Sequence, residues 1–381
     1  MFAGGFSTFA LLYCMQPLMP EFSRDFGLQP AAASLSLSVT TVSMAATMLV
    51  VGSLSDASGR KKVMALSLFA ASLLAVLAAF SPGYTALLAL RALQGAALAG
   101  VPAIAMTYLS EEVEPSSLGY AMGLYISGNS VGGMGGRIIG GVLADLFDWR
   151  ASLLGIGFSG LVAALLFCRW LPASRRFRPA ALSTRQIGRT LVSQLKDVRL
   201  LALYGLGFLL MGSFVTTFNY IGYVLLDRPY SLSQTWVSGI FLVYLTGTFS
   251  STWMGRLADR IGREKTMRIG IGIIAGGALL TLAPPLVAKL FGIALLTFGF
   301  FGAHSVASSW VGRTASEHPA QASSLYLFFY YVGSSVSGTV GGVFYQHIGW
   351  PGVVAMVSVY MLIALLLCRT LVAGRSNAVS A

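Results

Sequence analysis

Two arginines, Arg91 and Arg137, stand inside long apolar stretches of the chain. A guanidinium in hydrocarbon is costly unless it faces a wet cavity or is met by carbonyls, carboxylates or an anion, so each is read as a functional group with a partner to be found. By position, Glu21 and Asp145 are the acids within plausible reach. On a helix, Asn129, Gly133, Arg137 and Gly141 share one i+4 ridge, and Gly128, Gly132, Gly136 and Gly140 form the ridge beside it. The glycine ridge can pack backbone to backbone against a neighbour, which leaves the Arg137 ridge to face a cavity. There Arg137 would hold an outer gate, or lower the pKa of a nearby carboxylate by favouring its charged form. One further titratable ring, His304, also lies in an apolar stretch.

The constellations of enzymes are missing from the sequence. The Gly-rich runs lack the Gly-Lys-Ser/Thr ending of a phosphate-binding loop, G-x-S-x-G does not occur, and the His and Asp positions form no triad. Cys14, Cys168 and Cys368 lie in or at the ends of apolar stretches without metal-ligand spacing. No catalysis, cofactor or metal is expected, and the cysteines read as packing residues.

The elements that must carry these residues follow from composition. Of 381 residues, 56% are hydrophobic and 10% charged, whereas a soluble domain carries about 25% charged residues. Mean hydropathy is +0.76. Apolar stretches recur near 2–20, 32–54, 63–80, 84–108, 118–143, 151–171, 200–224, 234–254, 267–286, 289–311, 321–345 and 352–370, each of the length an α-helix needs to cross about 30 Å of hydrocarbon. Short alternating strands are absent, which argues against a membrane barrel. The expected fold is all-α, with twelve transmembrane helices.

The formal net charge of +12 is dispersed among loops, so nucleic acid is not expected as a partner. Its placement reports topology instead. With the amino terminus inside, 19 Lys or Arg fall in cytoplasmic loops and tail against four outside, at Arg24, Arg150, Arg228 and Lys289. The positive-inside rule then puts both termini in the cytoplasm. The first apolar stretch lacks the basic flank and cleavage pattern of a signal peptide and is read as helix 1. The chain starts directly in it, which leaves a native amino-terminal extension open.

An internal repeat organises the chain. "GSLSDASGRKK" (Gly52 to Lys62) follows the second span and "GRLADRIGREK" (Gly255 to Lys265) the eighth, 203 residues later. At an offset of 201, Gly132 meets Gly333 and Trp149 meets Trp350. The polar stretch 172–199, with Arg175, Arg176, Arg178 and Pro179, is the expected linker between a six-helix bundle at 1–171 and a second at 200–381. Two pseudo-symmetric halves of this kind imply a substrate site at the bilayer midplane.

These residues resemble the major facilitator superfamily over essentially the whole chain. The family's G-x-L-x-D-x-x-G-R-K/R loop is matched by Gly52, Leu54, Asp56, Gly59, Arg60 and Lys61, and again by Gly255, Leu257, Asp259, Gly262, Arg263 and Lys265. The resemblance implies that these loops latch a cytoplasmic gate. "RALQG", with Arg91, Gln94 and Gly95, is similar to the R-x-x-Q-G motif of proton-coupled antiporters. Gly132, Gly136, Gly140 and Gly141 are similar to the antiporter motif G-x-x-x-G-P-x-x-G-G, with Arg137 at the proline position. The branch's acid within helix 1 is absent here, which leaves Glu21, Asp145 and His304 as proton-carrier candidates. In the family fold, the hydrogen-bonding side chains placed toward a central cavity would be Tyr13, Gln16, Tyr125, Asn129, Asn219, Tyr220, Tyr223, Tyr244, Tyr326 and Tyr330.

An aromatic lining with few polar groups suits amphipathic or lipophilic molecules. The expected function is secondary transport at the inner membrane, most similar to drug:proton antiport, with a small-molecule substrate, protons, membrane lipids as surroundings and a monomeric state. A sugar or organic-anion exporter or facilitator, and a non-transporting receptor on the same fold, remain as alternatives.

Overall fold

The computed structural model describes residues 1–174, 184–315 and 319–379, and every regular element among them is helical. In chain order these are α1 (Phe2–Tyr13), α2 (Met19–Asp25), α3 (Pro30–Ser58), α4 (Arg60–Ala79), α5 (Tyr84–Leu98), α6 (Gly100–Glu112), α7 (Pro115–Leu146) and α8 (Trp149–Trp170). There follow α9 (Thr184–Lys196), α10 (Val198–Leu226), α11 (Gln234–Gly239), a 3-10 turn (Ile240–Val243), α12 (Tyr244–Ile261), α13 (Arg263–Leu280), α14 (Leu286–Thr314), α15 (Pro319–Ile348) and α16 (Trp350–Val379). Eight described segments are long and apolar enough to cross a membrane, from Pro30–Gly52 to Trp350–Leu371. The Gly- and Ser-rich α7 stands outside that set, because a helix that packs through small residues loses hydropathy without losing its place in the bundle.

The expected first span at 2–20 is a broken helix. Pro17 has no N–H to donate, so α1 stops at Tyr13 and the chain passes through short-range turns, Gln16 N to Tyr13 O and Leu18 N to Met15 O, before α2 begins. The expected eighth span at 234–254 is likewise divided, into α11, the 3-10 turn and α12.

The chain forms two compact units, Met1–Ser183 with Leu225–Phe241, and Thr184–Val224 with Leu242–Ala381. The stretch 225–241 therefore belongs with the first unit although it follows α10 in sequence. Of the expected linker, Arg175, Arg176, Arg178 and Pro179 lie outside the described residues, and its later part is α9.

Within the first unit, α1 and α7 meet backbone to backbone. A Cβ at Gly128 would strike the backbone of Phe2, one at Gly132 that of Phe6, and one at Gly136 that of Ala10, while at Gly140 it would sit 3.2 Å from the Cys14 carbonyl. Each step is four residues on both helices, so the two run parallel along the glycine ridge. The second unit repeats the contact between α10 and α15, where Gly333 faces the backbone of Phe208. Replacing Gly132 by Val should lower the apparent melting temperature of the purified protein, in line with overpacking costs of about 1–3 kcal/mol. Gly119→Ala, on the same helix with open space at the Cβ position, should be neutral or slightly stabilising. Equal thermal melts for Gly132→Val and wild type would show that α1 and α7 do not touch there.

Candidate functional site

The first repeated loop is a single residue, Gly59, between α3 and α4. Its φ of +97° falls where only glycine is comfortable, and Gly262 repeats this between α12 and α13 at +91°. The turn delivers Arg60 into a clamp. Its Nε and Nη2 donate to the two carboxylate oxygens of Glu111 at 3.2 and 2.8 Å, Nη1 donates to Ser55 Oγ at 2.7 Å, and Asp56 forms an ion pair one turn away. Glu111, on α6, escaped the sequence analysis. The signal available was an acid at the loop end of a span, next to a loop rich in basic residues. Tyr108 and Lys61 add bonds to the carbonyls of Pro172 and Leu171, so this end of the unit is tied across α4, α6 and the end of α8.

Arg91, fully buried, is met only by uncharged oxygens. Nη1 donates to Leu11 O at 3.1 Å and Gln94 Oε1 at 2.5 Å, Nη2 to Leu12 O at 2.9 Å, and Nε to Ser36 O at 3.1 Å. The break in α1 explains the arrangement. The N–H of Gln16, which an unbroken helix would aim at Leu12 O, turns to Tyr13 O, and Arg91 supplies the missing donor. Gln94 uses its amide to reach Ala71 O on α4 at 2.9 Å, and Gly95 lies against the backbone of Thr40 on α3. The three residues of the R-x-x-Q-G pattern thus tie α5 to three neighbours.

Arg137 is also buried. Nε donates to Gln16 Oε1 at 2.6 Å, Nη1 to Gly133 O at 2.5 Å, and the guanidinium lies 3.9 Å from the centre of the Tyr13 ring and 5.1 Å from that of Phe241. Of the partners expected for the buried arginines, the structure shows carbonyls and the side-chain oxygens of Gln94 and Gln16, while Asp145 accepts from Thr235 and Glu21 lies beside Arg24.

Asp145, near the end of α7, accepts from Thr235 N at 3.2 Å and Thr235 Oγ1 at 2.5 Å. These bonds hold its carboxyl below the usual carboxylate value. Gln234 donates to the Pro17 carbonyl, and Ser238 crowds Gly141. The stretch 225–241 is therefore seated on the break in α1 and on the end of α7. Glu21 on α2 is in a different state. Its side chain is 13% exposed, Oε1 stands 4.0 Å from Arg24, and Oε2 is buried without a hydrogen bond. Burial pushes its carboxyl up to about 7; Arg24 opposes the shift, while Asp25, Asp148 and Asp145 add to it.

In the second unit, His304 Nδ1 is 2.8 Å from the Tyr326 hydroxyl, within an aromatic group that includes Phe300, Tyr330, Phe214 and Tyr244. Tyr220 is wholly buried, donates to the Gly338 carbonyl and stacks on Tyr345, which makes it a tie between α10 and α15. Asn219 is buried beside it in sequence. Tyr125 and Asn129 lie on α7 against Gly5 of α1. Asp259 and Arg263 flank the Gly262 turn.

Arg91→Lys keeps a charge but cannot serve four oxygens from a planar fork. It should lower the apparent melting temperature clearly, consistent with about 1.5–3 kcal/mol for a hydrogen bond to a charged group. An unchanged melt would mean that the Leu11 and Leu12 carbonyls do not depend on this side chain.

Comparison with known proteins accords with this architecture. Residues 1–338 and 230–379 match the profile of the Major Facilitator Superfamily. The chain is 54% identical over 364 residues to the uncharacterized MFS-type transporter YybF of Bacillus subtilis (strain 168), covering 96% of this chain and 90% of that one. It is 49% identical over 366 residues to the inner membrane transport protein YnfM of Escherichia coli (strain K12), covering 96% and 88%. Among solved structures, a bacterial homologue of the human lysosomal transporter Spinster, in an inward-facing and occupied conformation, superposes with a TM-score of 0.79 at 16% identity, covering 97% and 95%. The chain is a multi-pass membrane protein with the fold of two six-helix bundles, and it belongs to the Major Facilitator Superfamily of membrane transporters.

Proposed function

We propose that the chain is a proton-coupled secondary transporter of the inner membrane that exports small amphipathic organic molecules by alternating access, with both termini in the cytoplasm. The observation that carries the coupling is Glu21. A mostly buried carboxyl with one unbonded oxygen, pushed up to about 7, changes its charge within the physiological range, as a proton carrier must. Asp145, the other acid candidate, is held charged by Thr235 and is suited to fixing the 225–241 stretch in place. The aromatic group around His304 and Tyr326 favours an amphipathic substrate, because rings supply apolar contact while hydroxyl and imidazole groups supply direction. Arg137 acts in this reading as a positioning residue for Gln16 and Tyr13.

Substrate flux in liposomes should respond to an imposed pH gradient, with a midpoint near neutral pH. The sign follows from the raised value. The folded protein holds the Glu21 proton up to about pH 7, so Glu21→Gln should fix the protonated form and flatten the pH profile across about pH 6 to 8. Asp145→Asn removes the smallest of the charges that raise Glu21 and should move the midpoint only slightly downward while leaving the pH response itself intact. Flux that ignores both the gradient and a protonophore would make the protein a facilitator or exchanger instead.

The paired loops are read as the latch of a cytoplasmic gate. Asp56→Asn removes a charge from the Arg60 clamp and should reduce transport strongly while insertion and folding persist, whereas Asp259→Asn should be milder. Wild-type flux in the Asp56 variant would remove the latch role.

A further inference from the structure

The two repeated loops share a backbone but not a charge distribution. In the first unit, Glu111, the next-to-last residue of α6, closes on Arg60 with both carboxylate oxygens. In the second unit, the next-to-last residue of α14 is Arg313. A cation therefore stands near the position where the first copy carries the neutralising acid. Beside the Gly262 turn lies a cavity of about 380 Å³ with Arg263, Lys265 and Arg313 on its wall. Its carboxylates are Asp259 and Glu264, and Glu264 is paired with Arg268 one turn along α13. Trp310 and Leu371 supply an apolar side.

We propose that this cavity binds a phosphate-class anion, which takes the part that Glu111 plays in the first unit. Three cationic side chains from two helices line a space large enough for a tetrahedral anion, and Arg presents the forked donors that phosphate oxygens accept. The wall of Trp310 and Leu371 is suited to the glycerol and upper acyl region of a phospholipid, and basic pockets between spans at the cytoplasmic leaflet attract anionic headgroups. The shared chemistry is the phosphate, whether carried by a lipid or free in solution. The inference is independent of proton coupling, since it needs no titration of Glu21.

The test uses the full chain purified in neutral detergent, with its thermal unfolding followed in two arms. One arm titrates inorganic phosphate against chloride at matched ionic strength. The other adds phosphatidylglycerol or, as control, phosphatidylcholine. Wild type should be stabilised by a phosphate-bearing ligand, with the first arm identifying a soluble source and a response confined to phosphatidylglycerol identifying the lipid. Arg313→Glu, which restores the acid of the first copy, should abolish the response. Arg313→Gln and Lys265→Gln should each weaken apparent affinity by about tenfold, as loss of one charge-assisted contact implies. Arg256→Gln, an exposed cation on α12 away from the cavity wall, should respond like wild type. Equal shifts with chloride, no shift in either arm, a full response in the two Arg313 variants, or an equal loss in Arg256→Gln would each overturn the proposal.

Discussion

Inside a bilayer a backbone carbonyl with no donor has no water to turn to, and this constraint governs the first unit. The chain breaks α1 between Tyr13 and Met19, where Pro17 prevents an ordinary helix and Pro20 takes the first turn of α2. The freed groups must then be satisfied from other elements. Arg91 reaches Leu11 and Leu12, and Gln234 reaches Pro17. Gln16, buried within the break, becomes the acceptor for Arg137. Arg91, which would be prohibitive in hydrocarbon, is thus the donor the broken helix requires, while Arg137 is held by the Gln16 side chain, the Gly133 carbonyl of its own helix and the Tyr13 ring.

That arrangement also depends on close approach. The short reach from α5 and α7 to the end of α1 exists because Gly95 meets Thr40 and the ridge from Gly128 to Gly140 meets α1 at backbone distance. A side chain on that ridge would push α1 outward and stretch the bonds to Arg137. The glycines and the buried cations are therefore one device. The second unit keeps the glycine contact, at Gly333, and places an aromatic group with His304 on α14, so duplication preserved the packing while the chemistry diverged.

Much of this was legible in the sequence. The twelve apolar stretches, the two loops ending in Gly59 and Gly262, and the parallel glycine ridge all follow from periodicities that packing imposes directly on residue type. The partners of Arg91 and Arg137 were not legible. A carboxylate announces itself by residue type, so Glu21 and Asp145 were the natural expectation, whereas a carbonyl is present at every position and becomes available only where a helix fails. Pro17 and Pro20 carried that signal, but hydropathy averages across them. Glu111 was hidden for a related reason: an acid at a helix end looks like any solvated terminus until the fold brings Arg60 to it.

The contrast between Glu21 and Asp145 shows how little residue type decides once burial enters. Both are acids near the same end of the first unit, and sequence offered no ground for separating them. Asp145 receives two hydrogen bonds from Thr235, each of which favours the charged form, and remains exposed. Glu21 loses solvent, keeps one oxygen without a donor, and has other acids nearby, each of which favours the neutral form. The same 225–241 stretch that fixes Asp145 also adds protein at the break in α1, close in sequence to Glu21. A movement that withdrew this stretch would take the hydrogen bonds from Asp145. Were water to reach Glu21 in the same step, its preferred form would pass from neutral to charged, while the exposed Asp145 would stay charged; one carboxyl whose charge follows the conformation is the form of linkage that coupling a proton to a conformational cycle requires.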